Sequence, residues 1–250
     1  MRISFNRIAD VFDKTRGLPE NVMKQLVKKL TDELHDHRVV LDAGVGTGRL
    51  AKPLQDNGFE VFGIDIAEKM MSKAVEKGVN NLLQADACFI PFRNGSFDVT
   101  ISVGLLHLIS EWQTALREIC RVTKGMMVSL SYARKNQVRE AYRCLLHDYG
   151  YSSRRLGKAE WELKDLVKPS KLVFVAAYET DAGKRLDYLD QRASSSQWII
   201  PEDVNKRVVD ELRSQFSGKK LSQELHIPLW NIEDLNAYCI ETETRQRISE

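Results

Sequence analysis

The amino-acid sequence predicts an α/β fold in which a doubly wound, mostly parallel sheet is covered by helices on both faces. Short apolar segments typical of buried strands alternate with segments whose apolar residues recur at helical spacing. The chain has 250 residues, of which 43% are hydrophobic, so it can bury a sizeable core. The predicted strands lie at 39–43, 60–65, 82–85, 97–103 and 126–131.

The segment before the first strand is predicted to form an N-terminal helical cap over residues 1–36. Residues 19–34 repeat apolar side chains at helical spacing. Pro19 suits the first turn of that helix, where no backbone N–H donor is needed. The cap is followed by the predicted ligand-binding core, residues 37–132.

A glycine-rich loop follows the first predicted strand. Residues 42–50 read DAGVGTGRL, with Gly44, Gly46 and Gly48 at alternate positions. Glycine has no Cβ and tolerates positive φ, so such a loop turns tightly and lets a ligand approach the main chain. The N–H groups at the start of the next helix favour polar or anionic ligand groups. The sequence therefore predicts a ligand site at the carboxyl end of the first strand.

The spacing of these glycines distinguishes between two classes of ligand. A dinucleotide site has the pattern G-x-G-x-x-G, whereas this loop has G-x-G-x-G preceded by Asp42. Arg49 also stands where close packing of helix on strand favours a small residue, which disfavours a nicotinamide oxidoreductase. The loop instead resembles motif I of class I S-adenosylmethionine-dependent methyltransferases, of the small-molecule, type 11-like group.

Further motifs similar to those of this family follow in the same order. Residues 60–66 form an apolar strand ending at Asp65, and residues 82–87 contain Asp86 in LLQADA. Residues 96–108 resemble the fourth strand and its loop, with His107 at the histidine position of small-molecule members. The resemblance covers about residues 5–131. It implies a seven-stranded, mostly parallel, Rossmann-like sheet and methyl transfer from S-adenosylmethionine to an O, N or C nucleophile.

The resemblance also implies a role for each acid. Asp65 would accept from both ribose hydroxyls, Asp86 from the adenine amino group and Asp42 from the methionine amine. Buried carboxylates need such donors, and the alternatives are a helix cap or a turn acid. The other implied cofactor contacts are Ala43, Gly44, Gly46, Ile66, Met70, Ala87 and Ser102, with a core hydroxyl as the alternative for Ser102.

His107 is the candidate catalytic residue. An imidazole titrates near neutrality and is suited to removing a proton from a phenol, amine or enol acceptor. The neighbouring residues are apolar, at Leu105, Leu106, Leu108 and Ile109. Contact with substrate or cofactor, and simple packing, therefore stay open beside the role of general base.

The N-terminal residues 5–16 resemble a segment that folds over the cofactor in many relatives. Asn6 and Phe12 replace the usual acid and tyrosine, so a hydroxyl contact from position 12 is lost while packing remains. Arg16 is a candidate partner for the methionine carboxylate, because guanidinium binds carboxylates through two parallel hydrogen bonds. A surface arginine is the alternative.

A lid is predicted over residues 133–197, where the regular alternation stops. It contains an amphipathic helix ending near Gly150 and a late strand at 172–178. Residues 198–250 are predicted to complete the core with a helix after Pro201 and a final strand at 224–228. The resemblance implies that this strand is antiparallel and lies beside the fifth.

Composition limits the partners. A net charge of +2 does not indicate nucleic-acid binding, although seven basic residues against three acids at 131–160 would suit either an anionic substrate or a solvated lid face. No apolar stretch approaches a membrane span, and no signal sequence is evident, so we expect a cytoplasmic enzyme. The four scattered cysteines predict neither a metal site nor disulfides. A tRNA or protein methyltransferase, or a non-catalytic cofactor-binding subunit, is the alternative, and the oligomeric state is not predicted.

Overall fold

The computed structural model describes residues 4–132, 136–152 and 156–249. These residues form one mixed sheet of eight strands. The strands are β1 (Val39–Ala43), β2 (Glu60–Asp65), β3 (Leu82–Gln84), β4 (Phe97–Ser102), β5 (Thr123–Val128), β6 (Ser131–Tyr132), β7 (Lys171–Asp181) and β8 (Lys220–Asn231).

Helices occupy most of the chain between the strands. They are α1 (Phe12–Arg16), α2 (Glu20–Glu33), α3 (Ala51–Asp56), α4 (Glu68–Glu76), α5 (Trp112–Val122), α6 (Gln137–Asp148), α7 (Ala182–Asp190), α8 (Glu202–Phe216) and α9 (Ile232–Ser249). Two short 3-10 helices, Leu106–Leu108 and Glu160–Asp165, contribute to the site. Within the described ranges, no helix combines the length and the apolar character needed to cross a membrane.

The sheet confirms the predicted doubly wound α/β fold. β1 pairs in parallel with both β2 and β4, β3 extends the β2 side, and β5 extends the β4 side. The final strand is antiparallel beside β5, as predicted. The described sheet has eight strands rather than seven because the two-residue β6 continues along β8 after β5 ends, while β7 covers the opposite edge of β8.

Each face of the sheet packs against its own set of helices. Successive side chains of a strand point to opposite faces. Accordingly, Val40 lies in the apolar cluster that includes Leu26 of α2, whereas Leu41 lies in the cluster that includes Leu116 of α5. The chain leaves β1 towards β2 on one side and reaches β4 on the other, so a crevice opens at the carboxyl ends of these strands.

A third apolar cluster joins α6, α7 and α8 into one unit beside the crevice. A buried polar network strengthens it: the Tyr142 hydroxyl donates to Asn205 Oδ1 at 2.6 Å, and Gln197 Nε2 donates to the same oxygen at 3.0 Å. The predicted lid boundary at residue 197 divides this unit. α8 packs on α6 and α7 rather than completing the core of the sheet, because its apolar residues face theirs. Residues 133–135 and 153–155 of the predicted lid lie outside the described residues.

Candidate cofactor and acceptor site

A cavity of about 1070 Å³ lies at the carboxyl ends of the central strands. The loops after β1, β2, β3 and β4 form its floor, the N-terminal segment covers one side, and α6 and α7 close another. Ligands of doubly wound folds bind at this position, where the strand order reverses. The cavity exceeds the usual range of small-molecule sites, so it has room for more than one small ligand.

The glycine loop forms the part of the wall nearest β1. Gly44 has φ of +78° and Gly46 has φ of +54°, conformations that other residues adopt only with strain. A Cβ at Gly44 would stand 3.1 Å from Leu105 Cδ1, and one at Gly46 would stand 3.4 Å from Met70 Cε. The absence of these side chains keeps the backbone exposed to the cavity.

Asp65 fixes this loop from the end of β2. Its Oδ2 accepts from Gly46 N at 2.9 Å, and its Oδ1 accepts from Ala67 N at 2.8 Å. Burial raises the pKa of Asp65 in spite of these hydrogen bonds. Each carboxylate oxygen can accept more than one hydrogen bond, and Asp65 lines the cavity, so its position suits the predicted ribose contact.

Asp42 is more deeply buried, with 5% of its surface exposed, and does not line the cavity. Burial and the neighbouring charge of Asp65 raise the pKa of Asp42 to about 7, against the opposing effects of the Ala51 N–H and Arg49. Ala51, whose N–H favours the charged carboxylate, is the first residue of α3, so Asp42 lies near the start of that helix. This position favours the helix-cap alternative over direct contact with a methionine amine.

The other predicted cofactor residues divide between the cavity wall and the core. Gly44, Gly46, Ile66, Met70, Asp86 and Ala87 line the cavity, whereas Ala43 and Ser102 do not. Asp86 Oδ1 also accepts from Cys88 N at 2.8 Å, so this acid both shapes its turn and faces the cavity.

Ser102 acts through a buried carboxyl group instead of meeting the cavity. Its hydroxyl donates to Glu160 Oε1 at 2.9 Å. The same oxygen accepts from Leu105 N at 2.7 Å and from Leu106 N at 3.1 Å. Glu160 has no exposed surface, and its three hydrogen bonds hold the loop that follows β4. The structure thus gives Ser102 a supporting role, in agreement with the core-hydroxyl alternative.

His107 lies in the 3-10 helix that follows this loop and lines the cavity. Its ring centroid is 6.0 Å from that of Trp161, which also lines the cavity. The His107 carbonyl accepts from Gly157 N at 3.2 Å. Segment 157–161 therefore fixes the histidine at the cavity wall, where its side chain can meet a bound acceptor.

Arg16 also lines the cavity and is partly buried, so the surface alternative does not describe it. Its Nη2 donates to Ala193 O at 2.9 Å. Its guanidinium carbon lies 5.0 Å from the ring centroid of Phe12 and 5.3 Å from that of Tyr188. The N-terminal segment covers the cavity as the resemblance implied, and Phe12 packs there as an apolar residue.

Sequence reasoning missed four residues of this site. Arg49, Arg185 and Tyr178 line the cavity, and Glu160 holds one of its loops. Arg49 follows Gly48 directly, so its place in motif I was the signal that could have found it. The other three lie in the second half of the chain, where no motif relates them to the glycine loop.

The comparisons with known proteins agree with this geometry. Residues 41–126 match the family model described as a methyltransferase domain. The chain is 38% identical over 87 residues to the demethylmenaquinone methyltransferase of Renibacterium salmoninarum, covering 34% of this chain and 36% of that protein. It is 30% identical over 109 residues to the mouse mitochondrial protein named arginine-hydroxylase NDUFAF5, covering 43% of this chain and 32% of that protein.

Among solved structures, the chain resembles a Thermotoga maritima protein described as an S-adenosylmethionine-dependent methyltransferase and possible histamine N-methyltransferase. The TM-score is 0.54 with 18% identity, covering 91% of this chain and 97% of that one, which shows a shared fold. The chain spans 32% to 46% of the length of the first curated relatives it matches. Residues 41–126 thus match a methyltransferase domain, and they lie in a chain whose fold is shared with the Thermotoga maritima protein.

Proposed function

We propose that the protein transfers a methyl group from S-adenosylmethionine to a small-molecule acceptor. One observation carries this proposal: the cavity that contains Gly46, Asp65 and Asp86 continues to His107 and to the lid. Its volume of about 1070 Å³ leaves space for an acceptor beside the cofactor. A protein that only held the cofactor would not need this additional space.

The residues present fit the cofactor. Burial raises the pKa of Asp65 although backbone N–H groups donate to it, so further donors would stabilise the carboxylate. Ribose hydroxyls would supply such donors. The exposed backbone at Gly44 and Gly46 allows the methionine part to approach the main chain, and Arg16 is placed to bind its carboxylate.

When bound, S-adenosylmethionine supplies a methyl group on a sulfonium, which is already a strong electrophile. The protein chiefly has to orient the acceptor and exclude water. The unit of α6, α7 and α8 and the N-terminal segment surround the cavity and serve the second task. His107 lines the cavity and is the candidate for removing a proton from an acceptor hydroxyl or amine.

Calorimetric titration with S-adenosylmethionine, S-adenosylhomocysteine and NADH tests the cofactor. We expect micromolar binding of the first two, about −8 kcal/mol, and no binding of NADH. Binding of NADH alone would contradict the proposal. If both S-adenosyl compounds bind, release of S-adenosylhomocysteine in a screen of small-molecule acceptors tests the reaction, and absence of turnover with every acceptor class would favour a non-catalytic subunit.

The role of His107 is tested with His107→Gln once an acceptor is known. If His107 is a general base, the variant should keep the cofactor affinity of the wild-type protein, and its kcat should fall by about 100-fold. His147 is exposed on α6 and provides the matched control His147→Gln. An unchanged kcat and an unchanged pH profile in His107→Gln would assign the histidine to packing.

A further inference from the structure

Three arginines gather at the end of the cavity formed by the N-terminal segment and α7. We call Arg16, Arg49 and Arg185 the arginine cluster; all three line the cavity and are partly buried. The guanidinium carbons of Arg16 and Arg185 lie 5.3 Å and 4.3 Å from the same ring centroid, that of Tyr188. Burial lowers the pKa of Arg185, and the charge of Arg16 adds to this effect. Arginine nevertheless stays protonated, so the cluster holds concentrated positive charge.

The partners of the cluster among the described residues do not neutralise it. Arg16 donates to the carbonyl of Ala193, and Arg49 donates to the carbonyl of Arg16. Asp13 and Asp42 favour the charge of Arg49, but the groups acting on Arg185 are Arg16 and three tyrosines. The buried Nε atoms of Arg16 and Arg185 have no hydrogen-bond partner among the described residues. A buried guanidinium without an anion is costly, which indicates that a ligand supplies one.

The adjoining wall adds neutral donors. Tyr132 of β6, Tyr178 and Thr180 of β7, and Gln223 of β8 line this end of the cavity. Burial and the neighbouring Tyr132 raise the pKa of Tyr178, so its hydroxyl stays protonated at neutral pH. Hydroxyl and guanidinium donors that converge on one space match the oxygens of a carboxylate or a phosphate.

The acids of the cavity lie on other elements or are paired. Asp65 ends β2, Asp86 follows β3, and Glu140 belongs to α6. Asp187 pairs with Arg213 at 2.9 Å, and Lys184 adds another positive charge to the lining. The cofactor cannot balance the cluster, because its single carboxylate is offset by its own ammonium and sulfonium charges.

We infer that the methyl acceptor is an anionic small molecule whose carboxylate or phosphate is bound by Arg185, at the end of the cavity lined by Tyr132 and Tyr178. Arg16 then binds the methionine carboxylate, and Arg49 supports Arg16 through its carbonyl. The inference rests on the proposed methyl transfer, because it requires an acceptor in the cavity beside the cofactor. The acceptor supplies the negative charge that balances the arginine cluster. It defines a substrate class by charge and leaves the attacking atom open.

The test compares three probes that share a phenyl ring: benzoate, phenyl phosphate and benzamide. Each is titrated calorimetrically into the protein saturated with S-adenosylhomocysteine, and again into the protein alone. We expect benzoate or phenyl phosphate to bind about ten-fold or more tightly than benzamide. Whichever of the two acids binds more tightly identifies the anion.

Two substitutions locate the effect. Arg185→Gln should abolish the preference for the anion while the Kd for S-adenosylmethionine changes by less than about two-fold. Arg185→Lys keeps the charge but not the forked donor geometry, so it should retain part of the preference. Arg38 is exposed before β1, at the opposite edge of the sheet, and Arg38→Gln is the control for loss of one charge. Thermal unfolding of each variant checks that the fold is kept.

The outcomes separate the inference from the proposed function. Equal binding of the three probes, or an anion preference that survives in a folded Arg185→Gln, would overturn the inference and leave methyl transfer standing. A parallel loss of S-adenosylmethionine affinity in Arg185→Gln would also overturn it, because Arg185 would then bind the cofactor. Failure of the wild-type protein to bind either S-adenosyl compound would reject the proposed function, and the titration of protein alone would still report on the anion.

Discussion

We call the two ends of the parallel strands the carboxyl edge and the amino edge of the sheet. An aspartate at each edge accepts two backbone hydrogen bonds, yet the pKa of one aspartate is raised and that of the other is lowered. At the carboxyl edge, Asp65 accepts from two backbone N–H groups, and burial raises its pKa. At the amino edge, Asp98 Oδ2 accepts from Arg38 N at 3.0 Å and Val39 N at 2.9 Å, and these bonds lower its pKa.

The surroundings of the two acids explain the difference. Asp98 loses little contact with water and has Lys124 and His37 nearby, so its negative charge is favoured. Asp65 is partly buried at the cavity, and its charge raises the pKa of the neighbouring Asp42. At the amino edge the carboxylate charge is therefore favoured, whereas at the carboxyl edge burial opposes the charge of Asp65 and of the neighbouring Asp42. This difference is what a binding site should show before its ligand arrives.

The largest expected effect is on cofactor binding. Asp65→Asn should weaken S-adenosylmethionine binding by about 100-fold, since hydrogen bonds to a charged acceptor contribute roughly 1.5–3 kcal/mol each. Asp98→Asn is the matched control and should leave the affinity unchanged, although each variant removes the charge of a carboxylate that accepts two backbone hydrogen bonds. Calorimetry measures the affinities, and urea unfolding measures the losses of stability.

A deoxyribose analogue separates ribose contact from distortion of the loop. S-adenosylhomocysteine without its 2′-hydroxyl should bind the wild-type protein more weakly than the parent compound does. Asp65→Asn should lower the affinity for this analogue less than it lowers the affinity for the parent compound. Equal weakening of both compounds would assign Asp65 to support of the Gly46 loop alone.

The contrast between the edges also shows what could be predicted. The glycine loop, Asp65 and Asp86 lie within one run of strands and loops, so local spacing located them in the cavity wall. The antiparallel final strand beside β5 was predicted from the resemblance. The extra strand β6 was not, because two residues carry no periodic pattern.

The remainder of the site depends on contacts between distant segments. Glu160 meets Leu105 across 55 positions, and no local pattern relates them. Arg185 reaches the cavity because α7 packs near α1, which is a property of tertiary packing. The lid boundary also depended on packing: the helical spacing after Pro201 predicted α8 itself, but not that α8 would join α6 and α7.

The second effect concerns the loop that β4 presents to the cavity. Glu160→Ala removes the acceptor of three buried donors and should lower the free energy of unfolding by about 3 kcal/mol. Hydrogen exchange at the Leu105 and Leu106 amides should accelerate, and Glu160→Gln should partly restore protection because its amide oxygen still accepts. Glu162→Ala is the control, since Glu162 Oε2 accepts from Ala159 N instead. Exchange at Leu105 that accelerates equally in Glu162→Ala would remove Glu160 from this positioning role.

The third effect compares two glycines with positive φ on opposite edges. Gly46 has φ of +54° at the cavity, and Gly58 has φ of +89° in the turn before β2, with open space around its missing Cβ. Alanine at either position should lower the free energy of unfolding by roughly 1 kcal/mol through backbone strain. Only Gly46→Ala should also weaken S-adenosylmethionine binding, by about ten-fold, because its methyl group enters the space near Met70. Equal affinities in the two variants would show that the cofactor does not approach this backbone.

The last expected effect is a difference in how stability depends on pH. The pKa of Asp42 is raised to about 7, so between the ordinary aspartate value and pH 7 the folded protein retains a proton that the unfolded chain has lost. Its contribution to stability therefore falls as pH rises through that window. Asp42→Asn removes this penalty. Relative to the wild-type protein, its free energy of unfolding should therefore be higher at about pH 8 than at about pH 5, by about 1–3 kcal/mol.

Asp98 should show the opposite sign. Its lowered pKa means that its contribution is present above the ordinary aspartate value and is lost in acid, so Asp98→Asn should destabilise at both pH values. Urea unfolding of both variants at each pH measures these changes. Bound S-adenosylmethionine should reduce the pH dependence caused by Asp42, because its positive charges favour the carboxylate. If bound S-adenosylmethionine left the pH dependence unchanged, the raised pKa of Asp42 would reflect the packing of the turn before α3 and not the ligand site.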